Sequence, residues 1–468
     1  MNEDVGAFAD ELPMDGEATS ASTCKAARIV RGANGAPRVS LDNAVELWRC
    51  DEEVAGSVVF DEFNVDMLKM RRLPWTLPSD NDAETFGPWS DRDSFLCAAW
   101  FARKHNLPIS AKTALELVAS VSKDQKIDPL RDYFASCSKS WDGTQRLATF
   151  GSRYFGTPDD EYSREVTRRW MIAAAARALF PGCKVDNMLI LRGSQGGGKS
   201  RAAKALCGRP EWFFDGDLAL GDKDGRLALG GRHIVEVAEL ASANKATTHV
   251  LKQFLTNDID IFRPPYGRRF VSVPRRSIFI GTVNDDEFLR DNTGARRFWP
   301  VSVGTIDVDA IIRDRDQLWG EAALLALDKV PHWVNTPELR ALCEDEAEEH
   351  RTRDAWEELA TNWLAAPDGG RQKFAELGYL TTGIVLDKAF PMDAAKRQRG
   401  DEMRIADVLR ACGWEKHKRE RIGARRVVPW KPKATAEGAP PQNGGTSMAT
   451  HTPAPAPTEQ QLPFSTDD

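Results

Sequence analysis

The chain has 468 residues, 41% of them hydrophobic and 28% charged, enough for two or three domains with a sizeable core. Its formal charge of −7 excludes a protein that coats nucleic acid through global charge, so any such contact must be focal. Eight scattered cysteines show no metal-ligand spacing and are expected to be reduced thiols. The apolar stretch from Met171 to Phe180 is too short to span a membrane and carries Arg177, and no secretory leader is visible, so the expected location is cytoplasmic.

Residues 1–37 are acidic, rich in small residues and aperiodic, and are expected to lack ordered structure. From 38 to 140 the spacing predicts a tryptophan-rich amino-terminal helical domain, with helices over Leu41 to Trp48, Trp89 to Ala102 and Lys112 to Val121, the second capped by Ser90 or Asp91. Tryptophans at helical spacing read as core before they read as base-stacking surfaces. Trp141-Asp142-Gly143 marks a tight turn and a hinge into the next domain, over 141–330. A long helix from about Tyr162 to Phe180 precedes its first strand.

That strand, Met188 to Leu191, runs into Gly193-Ser194-Gln195-Gly196-Gly197-Gly198-Lys199-Ser200 and then a helical Arg201 to Cys207. Strand, G-x-x-x-x-G-K-S loop and helix is the order of a phosphate-binding loop. The glycines let backbone N–H groups turn toward phosphate oxygens of ATP, Lys199 would reach the β- and γ-phosphates, and the Ser200 hydroxyl would hold Mg²⁺. Some forty residues on, His233 to Leu240 is a β-branched run ending in carboxylates. Glu236 and Glu239 are the candidates to hold Mg²⁺ through water and to polarise an attacking water. Residues three apart on a strand face opposite ways, so both can serve only if the strand ends near Val237; otherwise Glu236 alone faces the metal. Exposed glutamates at a strand end are the plainer alternative.

Residues 246–256 read as a helix, and Ile259 to Val273 as two short strands around Pro264-Pro265-Tyr266-Gly267. Arg263, Tyr266, Arg268 and Arg269 cluster near the tip, suited to gripping phosphates while stacking on a base, or simply solvated. Ser277 to Asn284 is a nearly continuous apolar strand, as buried parallel strands are, and Asn284 at its end would orient water at the γ-phosphate. Arg296 and Arg297, fixed between a Thr293-Gly294 turn and a strand from Phe298, are candidates to reach a neighbouring subunit's γ-phosphate, or else to bridge local acids such as Asp291.

Residues 331–370 read as a helical connection and 371–433 as two helices followed by a basic hairpin, the outline of a winged helix. Lys396, Arg397, Arg399, Lys416, Lys418, Arg419, Arg425 and Arg426 give it the focal positive charge the whole chain lacks, for DNA or as a solvated surface. The tail, 434–468, is rich in proline and alanine and expected to be disordered; its Gln460-Gln461-Leu462-Pro463-Phe464 resembles peptides that dock on bacterial sliding clamps.

Six motifs in order, Trp141-Asp-Gly, Gly193 to Ser200, Glu236-Val-Ala-Glu239, Phe262-Arg-Pro-Pro-Tyr-Gly267, Gly281-Thr-Val-Asn284 and Thr293-Gly-Ala-Arg-Arg-Phe-Trp-Pro300, resemble the virulence-associated protein E family of phage and prophage ATPases, related to the superfamily 3 primase-helicases. The resemblance implies an α/β, P-loop NTPase (AAA+/superfamily 3-like) parallel-sheet core and an ATPase and helicase acting on single-stranded DNA in replication of a mobile element. It implies a homo-oligomer, a hexameric ring, with Arg296 or Arg297 as the finger and the 259–273 hairpin near the pore. The alternative is a nucleotide-switched origin-binding or loading protein that recruits host machinery without unwinding DNA. Ala295 stands where the family often has Asn, which bears on the turn presenting the arginines. No paired catalytic carboxylates of a primase stand out, so no primer synthesis is expected.

Overall fold

The computed structural model describes residues 29–216, 223–238, 245–263, 270–284, 297–350, 354–390, 397–422 and 425–433. The chain divides into two contact units, Met1–Thr352 and Arg353–Asp468. No helix among the described residues is long and apolar enough to cross a membrane.

The amino-terminal part of the first unit is not purely helical. Helices Leu41–Cys50, Asp91–His105 and Ala111–Val121 accompany a four-stranded sheet ordered Gly87–Pro88, Asp66–Lys69, Val58–Asp61, Lys126–Ile127. These strands have two to four residues, too few for alternation to show in the sequence. Ser90 caps the second helix through a capping box with Asp93. Trp48, Trp75, Trp89, Trp100 and Phe101 pack into one buried cluster, so these tryptophans are core. Lys69 and Asp93 are buried together at 2.8 Å. Cys50 is disulfide-bonded, against the expectation of reduced thiols throughout; Cys97, Cys137, Cys183, Cys207 and Cys343 are free.

The expected hinge is also part of the core. Helix Pro129–Lys139, started by Asp128 with Pro129 in its first turn, buries Leu130, Phe134 and Cys137 in the main hydrophobic cluster. The Trp141-Asp-Gly turn is tied down as well: Asp142 N–H donates to Gln317 Oε1 at 2.8 Å, and Arg146 and Leu147 N–H both donate to the buried Glu321 Oε2 at 2.6 and 2.9 Å. The core therefore begins before residue 141.

Five parallel strands form the main sheet, in the spatial order Phe298–Ser302, Met188–Arg192, Ile278–Val283, Ile234–Val237, Phe213–Phe214. Strand alternation sorts the side chains onto two faces. Leu189, Leu191, Ile234, Ile278, Ile280 and Trp299 join one cluster with helices Glu161–Leu179 and Val308–Leu327. Met188, Ile190, Val235, Phe279 and Phe298 join another with Leu251, Phe254 and Leu255 of helix Lys245–Leu255. Burial on both faces explains why the strands read as continuous apolar runs. Helix Glu161–Leu179 is buried around most of its circumference, its Ala173 to Ala176 run allowing close approach, and Trp170 Nε1 donates to the Phe279 carbonyl at 2.8 Å.

In the second unit, helices Ala355–Ala365, Gly370–Leu377, Thr382–Lys388 and Arg399–Ala411 precede two nested antiparallel pairs, Trp414–Lys416 with Trp430–Pro432 and Glu420–Ile422 with Arg425–Val427. Ala360, Leu364, Val385, Leu386, Ile405, Val408, Leu409, Trp414 and Trp430 make its own core. The expected connection over 331–370 is thus split: Pro337–Glu349 buries Leu339 and Cys343 in the main core, whereas Ala355–Ala365 belongs to the second unit.

Candidate functional site

Ligands of open α/β sheets bind beyond the carboxyl ends of the strands, and three of the predicted segments end there together. Arg192 is in register with Val283 and Ser302, and Gly281 with Val237. The glycine loop leaves the Met188–Arg192 strand, Asn284 follows Ile278–Val283, and Glu236 is the penultimate residue of Ile234–Val237. By alternation Glu236 shares a face with Ile234, and Thr282 and Asn284 share one with Ile280. That is the face on which helix Lys199–Ala205 packs through Ala202 and Ala203.

The loop is shaped by glycine where other residues would not fit. Gly198, directly before Lys199, has φ +86°, a left-handed conformation that side chains disfavour. A Cβ on Gly193 would lie 2.8 Å from Val303 Cγ2. Gly197 N–H donates to the Ser194 carbonyl at 3.2 Å, closing a turn around Gln195 and Gly196. Lys199 is nearly buried; its Nζ donates to the carbonyls of Gly193 at 2.7 Å and Ser194 at 2.9 Å and to Asn284 Oδ1 at 3.0 Å. Burial lowers its pKa, opposed by the Glu236 carboxylate.

Glu236 is 4% exposed. Its Oε1 accepts from Ser200 Oγ at 2.7 Å and from Thr282 Oγ1 at 2.8 Å. Thr282 was not singled out in the sequence, although it lies two residues before Asn284 and hence on the same strand face, a signal that was available. No group of three or more His, Cys, Asp or Glu side chains converges among the described residues. What gathers instead is one carboxylate with two hydroxyls, a hard-oxygen set that fits Mg²⁺, an ion that usually keeps several waters.

Other candidates are placed differently. Arg297 lies at the opposite, amino edge of the sheet, where its carbonyl accepts from Met188 N–H at 2.7 Å; five residues of strand put that edge roughly 15 Å from the loop. Within one chain it does not join the site. Arg263 is exposed at the end of Ile259–Phe262. Glu239, Tyr266, Arg268, Arg269 and Arg296 lie outside the described residues, although the strand does end at Val237, as service by both glutamates requires. In the second unit Arg399, Lys416, Lys418, Arg419 and Arg426 are exposed. Arg397 instead pairs with Asp387, so it is a structural cation rather than part of the positive surface. Lys396, the Arg425 side chain and the tail peptide at 460–464 are outside the described residues.

Residues 135–352 match the family model of the virulence-associated protein E-like domain. No curated protein matches the chain. Among solved structures, the apo NrS-1 C-terminal region is similar at 11% identity, covering 80% of this chain and 95% of that one with a TM-score of 0.40. Its A form, at 11% identity, covers 81% and 96% with a TM-score of 0.41. Through residues 135–352, the segment that contains the loop, Glu236, Thr282, Asn284 and Arg297, the chain belongs to the virulence-associated protein E-like family.

Proposed function

We propose that the chain is an ATP-hydrolysing DNA motor of a phage or other mobile element, a P-loop NTPase that works as a ring. The observation that carries this reading is the convergence of Lys199, Ser200, Glu236 and Asn284 at the carboxyl edge of one parallel sheet. ATP would lie along the Gly193 to Ser200 loop, with Lys199 exchanging its carbonyl partners for the β- and γ-phosphates. Ser200, and Glu236 through water, would hold Mg²⁺, which when bound neutralises charge between the phosphates. Glu236, joined by Glu239, accepts the proton of the attacking water, and Asn284 orients that water beside the γ-phosphate.

Arg297 sits too far from its own loop to complete this site, which favours Arg296 or Arg297 acting on the neighbouring copy's nucleotide and hence a homo-oligomer. The 259–273 hairpin, with Arg263, Tyr266, Arg268 and Arg269, would grip single-stranded DNA. The experiment is sizing with a non-hydrolysable ATP analogue and single-stranded DNA, alongside turnover by an R268A/R269A variant. The motor reading expects a ring mass and, in the variant, ATP binding without DNA-stimulated hydrolysis or unwinding. A monomer, or unwinding that survives the substitutions, sinks it; nucleotide binding without unwinding by the parent points to a loading protein.

A further inference from the structure

At the amino edge of the sheet, away from the glycine loop, the first unit contains a cavity of about 740 Å³, within the range of small-molecule sites. It lies between the last turn of helix Glu161–Leu179, the residues just before Met188–Arg192, and the segment after helix Val308–Leu327. Ala176, Val330 and Val334 supply aliphatic wall, and Phe180 and Trp333, 41% and 49% exposed, supply aromatic surface.

Two of its lining side chains, Asn187 and Trp299, are 2% and 0% exposed and each carries a polar atom without a hydrogen-bond partner. Asn187 Nδ2 donates to the His332 carbonyl at 3.2 Å, which orients the amide and leaves Oδ1 unmatched. Trp299 Nε1 is the other orphan. A buried polar atom left unmatched costs about 1–3 kcal/mol, and here an acceptor and a donor are stranded on one cavity. The charged lining groups are kept from the interior or engaged elsewhere: Lys184 and Lys329 are exposed, and Lys184 Nζ donates to the Thr256 carbonyl at 2.7 Å. His332 Nε2 donates to the Lys184 carbonyl at 3.0 Å, and burial lowers its pKa, which keeps the ring neutral. A charged ligand would lose its hydration against these walls without compensation.

We propose that this cavity is a binding site for an uncharged, flat heteroaromatic lactam, a ring presenting N–H and C=O side by side. The ring N–H would donate to Asn187 Oδ1 and the ring carbonyl would accept from Trp299 Nε1, with stacking on Phe180 and Trp333. Oxo-nucleobases and other lactams share this chemistry. The site is independent of the glycine loop.

The test is saturation-transfer NMR and thermal shift on the full chain with carbostyril, N-methylcarbostyril, hypoxanthine and uracil as probes. Carbostyril should bind, and its N-methyl analogue, lacking the donor, should bind about tenfold more weakly. Filling the cavity with V330F should abolish binding, N187L should erase the preference for N–H, and W333A at the exposed rim should weaken every probe. K199A should leave all of these unchanged, whatever becomes of ATP turnover. Hypoxanthine or uracil binding with the same pattern assigns the ligand to the nucleobases; carbostyril alone assigns it to other lactams. Absence of binding by all four, or binding indifferent to N-methylation and to V330F, overturns the proposal and leaves the two polar atoms to water.

Discussion

Ser200 Oγ donates a 2.7 Å hydrogen bond to Glu236 Oε1 across 36 residues of chain. The serine begins a helix after the glycine loop, and the glutamate ends a strand that the intervening Ile278–Val283 strand separates from Met188–Arg192. The two meet because both lie at the carboxyl edge and on the same face of the sheet. Thr282, on the strand between them, donates to the same oxygen at 2.8 Å and holds the carboxylate in line.

Lys199→Ala should abolish ATP turnover. Its Nζ is the cation that reaches from the loop to Asn284, and losing one preorganised donor at a charge-developing centre costs roughly 10²–10³ in rate. Steady-state hydrolysis checks this, with an unchanged circular dichroism spectrum as the control. Turnover near the parent rate would put the nucleotide elsewhere.

Thr282→Val removes one of the two hydroxyls on Glu236 while keeping shape. Hydrogen bonds to charged groups contribute about 1.5–3 kcal/mol, so turnover should fall about tenfold or more. Nucleotide affinity, read by fluorescent-analogue titration, should hardly move, because Thr282 acts by positioning. Thr282→Ser should recover most of the rate.

The base of the 259–274 hairpin rests on a buried ion pair. Arg275 Nε donates to Asp260 Oδ2 at 2.8 Å, and the guanidinium also lies 4.5 Å from the Phe254 ring centroid. Arg275→Met leaves the Asp260 carboxylate buried and unpaired, so the first unit should lose about 3–5 kcal/mol. Changing both partners, D260L/R275M, should recover a large part of that in urea denaturation. A single variant as stable as the parent would show that water reaches this carboxylate.

Acid should weaken the fold through His233. Burial pushes its pKa down to about 4; its Nδ1 donates to the Arg276 carbonyl at 3.1 Å, and Phe134 and Trp319 pack on the ring. The unfolded histidine takes a proton near pH 6.5 and the folded one only near 4, so below 6.5 the unfolded state binds more protons. This contribution is absent above about pH 7, grows as pH falls from 6.5 to 4, and is constant below, with a ceiling of roughly 3 kcal/mol. His233→Phe should flatten that part of the stability-versus-pH curve; an unchanged slope would assign it to carboxylates.

Much of the site was legible in the residues themselves. The loop from Gly193 to Ser200 is local: glycine spacing and the strand-to-helix order are set by neighbours in sequence, and so are Asn284 at a strand end and Glu236 in a β-branched run. The helix caps at Ser90 and Asp128 were readable for the same reason. The small sheet of the amino-terminal part was not, because strands as short as Gly87–Pro88 carry no period of their own and exist through their partners. Nor was the membership of Pro129–Lys139 in the main core, which depends on packing against Val308–Leu327, nearly two hundred residues away. Local spacing thus determined which chemical groups the chain carries and which backbone elements present them. Only the tertiary structure decided that Ser200, Thr282 and Glu236 share one face while Arg297 lies at the far edge, since strand order and register come from burying both faces of the sheet at once.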